Sequence, residues 1–459
     1  MISPISELRN LPKSISFSFK ELGIYRALSQ ANIYKRNGIA AKHVFTALFA
    51  LTFRQMSWNQ FMNSKYKNDL PGKDCGYRFL NSQKFNWRKF LLEISSNAVD
   101  KIDPLTSIER IKVFIVDDSP YNRSRSKKTD MLSKIFDHVT MKYFNGYHLL
   151  TLGWSDGATF LPVDFSLQAT MKNLINGIDE SLDKRTLSYK RRFEATQSKT
   201  KNTIEMVKRA LNRGINAQYV LMDSWFASPK MFMRMKKEVK IDALCQLKKT
   251  SKHHYAYQGK KYDVKSLFDI SLRTGKKERN KDGIISSIIV NIDEETKLKI
   301  VFVVNRNDNS EWIAMGTTDI TLSDEDIITV YNLRWSIEVF FKSIKQYFGL
   351  EKEFITNSFE SLISHTTIVF VRYIVVAWET RKDKDPKTAG GFFLELWDEM
   401  ASASYIEALN LLLTKIKVLS EGLESEIQVM VGEMLTKWET MLPTWMTISL
   451  GLSSTVSLS

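Results

Sequence analysis

The amino-acid sequence predicts a mixed α/β core that a β-rich insertion interrupts and that helical regions flank at both ends. Three observations lead to this fold class. Two short apolar runs, residues 113–116 and 218–222, each stop at acidic residues, which is the pattern of short buried strands. Residues 240–322 contain further β-rich runs separated by Lys, Gly, Asp and Asn turns. The segments before residue 106 and after residue 350 carry apolar residues at helical spacing.

The first part of the chain is predicted to be mainly helical. Phe45, Leu48, Phe49 and Phe53 recur at the three- and four-residue spacing of one helix face. Few segments in this part alternate between apolar and polar residues, as half-buried strands do. We therefore expect a helical region that ends near residue 105.

The core is predicted to begin at residue 106. After its first strand, we expect strands at residues 147–154 and 159–167, joined by a turn at Gly157. Residues 170–213 have the pattern of basic helices, and Gly214 provides a C-cap before the strand that ends at Asp223.

The β-rich runs at residues 286–292, 298–304 and 312–316 are interpreted as an insertion into this core rather than a separate domain. Ser323 is a candidate N-cap for the helix that follows. The predicted regions are residues 1–105 (helical N-terminal region), 106–239 (first part of the core), 240–322 (β-rich insertion), 323–350 (core helix) and 351–459 (helical C-terminal region).

The core helix carries the most informative pattern in the chain. Tyr331, Arg334, Glu338 and Lys345 lie at offsets 0, 3, 7 and 14, which places them along one side of a helix with about 3.6 residues per turn. A parallel apolar stripe consists of Leu333, Ile337, Phe340 and Ile344. One carboxylate among phosphate-binding groups suits a site where a metal ion meets a nucleic-acid backbone. The alternative is an ordinary surface helix with solvated i,i+4 ion pairs.

The chain has 459 residues, a net charge of +15 and a pI near 9.4. This excess of Lys and Arg favours a polyanionic partner, with nucleic acid first and an anionic membrane second, although a basic surface can also serve solubility. Two cysteines, Cys75 and Cys245, do not make a disulfide framework or a four-cysteine zinc site. The longest apolar run, residues 367–378, contains Arg372 and is too short to span a bilayer. No secretory signal is recognisable, so we expect a soluble protein of a reducing intracellular compartment.

Two acidic residues at strand ends join Glu338 as candidate metal ligands. Asp118 and Asp223 each follow a buried run, and ligands bind at that edge of α/β sheets. Three carboxylates can hold two Mg²⁺ or Mn²⁺ ions for phosphodiester cleavage. The alternative for each aspartate is a turn or helix-capping residue.

These residues resemble a known family. Asp118, Asp223 and Glu338 are similar to the D…D…E triad of DDE transposases, whose catalytic domain is RNase H-like. The core helix matches the Y-(2)-R-(3)-E-(6)-K signature of insertion sequence family 4, and the resemblance runs from about residue 75 to 346. The family places the first aspartate before Thr or Ser, which favours Asp118 and leaves Asp117 as the second possibility.

The resemblance implies roles for individual residues. The triad would bind the metal ions, and Tyr331, Arg334 and Lys345 would contact phosphates beside the cleaved end. In hairpin-forming members an aromatic residue of the insertion stacks on a flipped base, and Trp312 is the best match. The alternative for Trp312 is a core residue of a strand.

The resemblance also implies partners. The N-terminal region would bind the terminal inverted repeats of the element in double-stranded DNA, and the C-terminal helices would help to form a homodimer that also binds target DNA. Lys190, Arg191 and Arg192 are candidate DNA-backbone contacts, with a solvated helix face as the alternative. We expect a cytoplasmic, nucleoid-associated protein of a bacterial or archaeal host, without membrane association.

Three functions are compatible with these residues. The first is a cut-and-paste DNA transposase. The second is a sequence-specific DNA-binding protein derived from a transposase that no longer cleaves. The third is an RNase H-like nuclease of the host, which leaves the long helical ends of the chain unexplained. Metal-dependent cleavage separates the first from the second, and substrate choice separates the first from the third.

Overall fold

The structure is a computed structural model that describes residues 11–64, 67, 70, 72–137, 141–274, 283–305, 308–354, 356, 358–382, 409, 412–416, 418–421 and 424–441. Residues Met1–Gly390 form one compact unit and Gly391–Ser459 form a second. Much of the predicted C-terminal helical region lies outside the described residues. In the described part of the second unit, the helix Ser425–Thr440 has no buried residues.

The described part of the first unit contains both helices and strands, with a run of helices before the first strand. The helices are α1 (Lys13–Glu21), α2 (Ile24–Gln30), α3 (Ala41–Ala50), α4 (Trp58–Met62), α5 (Asp74–Leu80), α6 (Trp87–Ile102), α7 (Leu187–Ala195), α8 (Lys199–Asn212), α9 (Pro229–Arg234), α10 (Val264–Thr274), α11 (Asp324–Asn332), α12 (Trp335–Gln346) and α13 (Phe359–Lys382). The strands are β1 (Val113–Asn122), β2 (Ser133–Asp137), β3 (Lys142–Ser155), β4 (Phe160–Gln168), β5 (Tyr219–Met222), β6 (Asp242–Leu247), β7 (Tyr255–Tyr257), β8 (Lys260–Tyr262), β9 (Ile284–Asn291), β10 (Lys297–Asn305) and β11 (Asp308–Thr317).

The described strands form one mixed sheet in the order β2-β3-β1-β5-β6-β11-β10-β9-β7-β8, with β4 paired to β3. β1 is antiparallel to β3 and parallel to β5, and β5 is parallel to β6. Because β11 pairs with β6, the strands of the insertion extend the core sheet. The mixed α/β fold is the one predicted, and it is consistent with an RNase H-like domain.

Helix α13 forms the centre of the helical layer. It packs against α1, α6 and β4, and it is long and apolar enough to cross a membrane, but 94% of its most apolar window is buried inside the protein. Such burial is typical of a core helix. Its fully buried Arg372 donates to Glu353 at 2.9 Å and to the carbonyl oxygens of Phe49 and Phe348, so the charge is neutralised inside the core.

The structure differs from the predicted elements in several places. β1 continues to Asn122, because β3 pairs with it along its whole length, so its aspartates lie inside a strand. Residues 170–213 are helical only in part, in a short 3₁₀ turn and in α7 and α8. The insertion contains the helix α10 in addition to strands. The predicted C-cap at Gly214 is confirmed, with φ +87°, where glycine avoids the strain of a side chain.

Candidate active site

The candidate site lies where β1 and β5 end their parallel pairing. Val116 is the register partner of Met222, and the next residues along the two strands are Asp117 and Asp223. Side chains alternate between the faces of a strand, so Asp117 and Asp118 point to opposite faces. Only one of these two aspartates can therefore face the same side of the sheet as Asp223.

The signature residues lie on two helices rather than one. Ser323 caps α11, as predicted, but α11 ends at Asn332 and α12 begins at Trp335. At the junction the amides of Leu333, Arg334 and Ser336 donate to carbonyl oxygens three residues back, as in a 3₁₀ turn. The prediction of a single core helix over residues 323–350 is therefore wrong.

Helix α12 is held by its apolar face. Ile337, Phe340 and Ile344 are fully buried, and the Phe340 ring lies 5.0 Å from that of Phe160 on β4. Packing of this face against the sheet directs the polar side of α12 toward β1. Glu338, on that polar side, is half-buried.

Arg334 connects the carboxylates of the strand and the helix. Its Nη1 donates to Asp117 Oδ2 at 3.0 Å, and its Nη2 donates to Glu338 Oε1. The guanidinium is itself largely buried, with 17% of its side chain exposed. One fork-shaped cation thus brackets two of the acidic groups.

The electrostatics of Asp117 are those of a crowded acidic site. The pKa of Asp117 is raised to about 7, chiefly by burial and also by the neighbouring charges of Asp118 and Asp223, although Arg334 and the Asp118 amide oppose the shift. A raised pKa from burial and like charges is common at functional sites. Asp117 thus lies on β1 beside Asp223 and shares Arg334 with Glu338.

Asp118, the residue preferred from the sequence, belongs to a different cluster. Its Oδ2 lies 2.8 Å from His148 Nδ1 and 2.9 Å from Lys199 Nζ. Burial would raise the pKa of Asp118, but His148 and Lys199 outweigh burial and hold it below the usual value. The Lys199 ammonium also lies 5.0 Å from the ring of Trp225, two residues beyond Asp223. Lys199 thus links Asp118 on β1 to the segment after Asp223.

Tyr331 and Lys345 lie beside the same strands. Tyr331 is buried and its hydroxyl donates to the Met222 carbonyl oxygen at 3.4 Å, and burial raises its pKa. Lys345 Nζ donates to Ser119 Oγ and to the Pro120 carbonyl oxygen, each at 2.7 Å. Burial lowers the pKa of Lys345. Tyr331, Arg334 and Lys345 therefore contact β1 or β5, and Glu338 contacts Arg334.

Trp312 lies on β11 in a cluster of its own. Its ring stacks on Phe268 at 4.4 Å between centroids, and the Lys249 ammonium lies 4.4 Å from its centroid. Phe302 adds an edge contact at 5.3 Å. The ring is half-buried, so stacking on a DNA base requires Lys249 to move away from it.

The predicted basic surface on α7 is corrected at two of its three positions. Arg191 has 10% of its side chain exposed and donates to the Phe165 carbonyl oxygen, while Arg192 has 4% exposed and pairs with Asp130 and Glu360. Both guanidinium groups are held inside the protein by partners distant in sequence. Lys190 is exposed.

The donor set at the site suits a hard divalent cation. Asp117, Asp223 and Glu338 offer only carboxylate oxygens, which Mg²⁺ and Mn²⁺ prefer. Among the described residues, no three His, Cys, Asp or Glu side chains are close enough to hold a metal ion as they stand. Arg334 supplies the positive charge between Asp117 and Glu338.

A mixed α/β fold with acidic residues at the end of its central parallel pair is consistent with the class of RNase H-like domains. Two family models match parts of the chain. Residues 73–265 match the model for the DDE superfamily endonuclease, and residues 186–360 match the model for the Transposase DDE domain. No curated protein matches the chain significantly. The two family matches support a DDE transposase, with nuclease activity on DNA.

The position of Asp117 beside Asp223 could have been predicted from the sequence. Asp117 follows the four-residue run 113–116, and Asp223 follows the four-residue run 219–222. Parallel strands with equal runs place the next residues side by side. His148 and Lys199 carried no comparable signal, because they are distant in sequence from Asp118 and from each other.

Proposed function

We propose that this protein is a cut-and-paste transposase of insertion sequence family 4. The observation that carries the proposal is the bridge from Arg334 to Asp117 and Glu338, beside Asp223. Asp117, Asp223 and Glu338 would hold two Mg²⁺ or Mn²⁺ ions, which activate a water and stabilise the leaving oxygen when bound. In this proposal Asp117, rather than Asp118, is the first metal ligand.

The phosphate-binding side chains follow from the same geometry. When DNA enters, the Arg334 fork exchanges its carboxylate partners for two oxygens of a phosphate. Lys345, held at Ser119 and Pro120, contacts a neighbouring phosphate as a point charge. Tyr331 is buried against Met222 and orients the junction that carries Arg334.

Release of the flanking DNA proceeds in two steps at this site. A water oxygen attacks the phosphorus at the element end, the P–O3′ bond breaks, and the 3′ oxygen leaves as a hydroxyl. That 3′-OH then attacks a phosphorus of the opposite strand, the bond from this phosphorus to the 3′ oxygen of the flanking DNA breaks, and the flank leaves with a 3′-OH as the hairpin forms. Hydrolysis of the hairpin afterwards restores the 3′-OH of the element end for joining to target DNA. We further propose that the N-terminal region binds the terminal inverted repeats, that a homodimer joins two ends to target DNA, and that the protein acts in the cytoplasm at the nucleoid of its host.

A duplex that carries the element's own end tests the proposal. We expect nicking at the element boundary with Mg²⁺ and no nicking with EDTA. Glu338→Gln and Asp223→Asn should reduce cleavage by about 10³-fold or more, because each removes a ligand whose metal supplies several kcal/mol to the transition state. Binding of the duplex should survive in both variants.

The same assay separates the two adjacent aspartates. Asp117→Asn should abolish cleavage, and Asp118→Asn should leave measurable activity, because Asp118 acts only through Lys199 and His148. The reverse result would return the ligand role to Asp118. Binding without cleavage by the unmodified protein would instead favour the DNA-binding protein that no longer cuts.

The hairpin step has a separate test at Trp312. We expect Trp312→Ala to impair hairpin formation more than nicking, because base stacking is worth about 1–3 kcal/mol per base. Phe268→Leu is the matched control, since it disturbs the same aromatic cluster but keeps the indole. Equal loss of both steps in the two variants would indicate a packing role for Trp312.

A further inference from the structure

A polar cleft lies at the far end of β1, away from the carboxylates of the candidate site. Its volume is about 610 Å³, and three basic side chains, Arg123, Arg125 and Lys352, line it together with one acid, Glu351. Most of the other lining residues are polar. This cleft therefore has a net positive lining, which suits an anion.

Two side chains in the cleft wall, Arg123 and Glu351, each have a buried polar atom that is available to a ligand. Within the described part of the chain, Arg123 Nε and Glu351 Oε1 are buried and make no hydrogen bond to the protein. The Arg123 guanidinium lies 5.6 Å from the ring of the buried Tyr121, which holds it in place. Glu351 has φ +70°, a left-handed conformation that a residue with a side chain rarely adopts. Strained backbone of this kind concentrates at functional sites.

Strand β1 connects the cleft to the candidate site. Asp117 lies at the site, Lys345 is bound at Ser119 and Pro120, and Asn122 lines the cleft. At about 3.3 Å per residue, the five residues from Asp117 to Asn122 span about 17 Å. That span corresponds to about five base pairs of duplex at about 3.4 Å each.

Charged side chains link the candidate site to the cleft. Glu351 interacts electrostatically with Lys345, Arg123 and Lys352, which lower its pKa, although burial outweighs them and raises it. The carboxylate thus stands among cations of both the site and the cleft. Phosphates that enter would replace it as their partner, as counterions are exchanged when DNA binds.

We propose that this cleft binds the phosphate backbone of the DNA segment that leads away from the cleaved phosphate, through Arg123, Arg125 and Lys352. The proposal rests on the proposed transposase function and adds the direction in which the DNA leaves the site. It assigns the cleft to backbone contacts, which position the duplex but do not read its sequence.

Salt-dependent binding tests the proposal. Three catalytically relevant duplexes are compared: one extended by about ten base pairs on the element side, one extended equally on the flanking side, and one extended on neither, since the cleft covers about five base pairs. The variant is Arg125→Gln/Lys352→Gln, because both side chains are exposed and their replacement leaves the fold intact. The matched control is Lys260→Gln/Lys261→Gln, an equal charge change at exposed positions of β8.

The variant should bind one extended duplex with a slope of log K against log salt that is shallower by about 1.8, at about 0.9 per phosphate contact. The unextended duplex should show the wild-type slope, and the control should show it on all three. Equal slopes for variant and wild type on both extended duplexes would overturn the proposal. Unchanged slopes together with thermal stabilisation of the wild type by inorganic phosphate would assign the cleft to a small anion instead.

Cleavage is measured separately on the unextended duplex. The variant should retain it, because neither substituted side chain lies at the carboxylates. A wild-type protein that shows the predicted slopes but does not cut would refute the transposase function and leave the cleft assignment standing. Wild-type cleavage together with equal salt slopes for variant and wild type would refute the cleft assignment and leave the transposase function standing.

Discussion

Two groups of charged side chains lie on the same sheet, and their electrostatics are opposite. In the buried group, Asp164 on β4 accepts hydrogen bonds from Arg88 at 3.1 Å and from Arg209 at 2.8 Å. Glu194 contacts the same two guanidinium groups. Burial raises the pKa of Asp164, but Arg209 and Arg88 outweigh burial and lower it to about 2.

At the candidate site, burial and repulsion between carboxylates outweigh the attraction of the neighbouring cation. Asp117 shares Arg334 with Glu338 and lies near Asp223, and its pKa is raised to about 7. The chain thus neutralises its buried carboxylates with its own cations where they serve the fold. Where carboxylates outnumber the cations in contact with them, the charge is left for a partner from outside the chain.

The largest effect is expected from breaking the buried group. Asp164→Asn should lower the free energy of unfolding by about 3–5 kcal/mol, because Arg88 and Arg209 lose a buried counter-charge. Asp223→Asn is the matched control and should change it by less than about 1 kcal/mol. Urea denaturation measures both variants. Similar losses in the two would mean that the site carboxylates also hold the fold together.

Acid pH should weaken the buried group in a defined window. The folded pKa of Asp164 is depressed from 3.8 to about 2, so its contribution is present above pH 4 and is lost as the pH falls toward 2. The shift corresponds to about 2 kcal/mol. We expect the difference in unfolding free energy between wild type and Asp164→Asn to shrink across this window. A constant difference from pH 6 to pH 2.5 would contradict the depressed pKa.

The two adjacent aspartates of β1 should respond differently to neutralisation. Asp117→Asn removes a buried charge that Asp118 and Asp223 also repel, so the free energy of unfolding should stay the same or rise. Asp118→Asn loses its pairs with His148 and Lys199 and should cost about 1 kcal/mol. Thermal unfolding at pH 7 measures both. Destabilisation by Asp117→Asn above that of Asp118→Asn would reverse the interpretation.

The sequence predicted features that depend on local pattern. The mixed α/β fold is confirmed, and so is the helix end at Gly214, because apolar runs and a left-handed glycine are readable within a few residues. The break before Arg334 was missed, since the 3₁₀ turn there leaves the apolar spacing of α12 unchanged.

Features that depend on distant partners were not predicted. β1 extends past Asp118 because β3 pairs with it, and this pairing decides which aspartate faces Arg334. In the sequence, Arg191 and Arg192 resemble part of an exposed basic run. In the fold they are buried beside Phe165, Asp130 and Glu360. Burial of a charge is decided by tertiary pairing, which no local window contains.

The smallest effect is expected at the exposed end of that basic run. Lys190→Gln should change the free energy of unfolding by less than about 0.5 kcal/mol, because the side chain lies on the surface. If Lys190 contacts a phosphate, the salt slope of DNA binding should become shallower by about 0.9. Lys184→Gln, also exposed, is the matched control. Equal slopes for the two variants would show that α7 contributes its buried arginines to the fold and nothing to DNA binding.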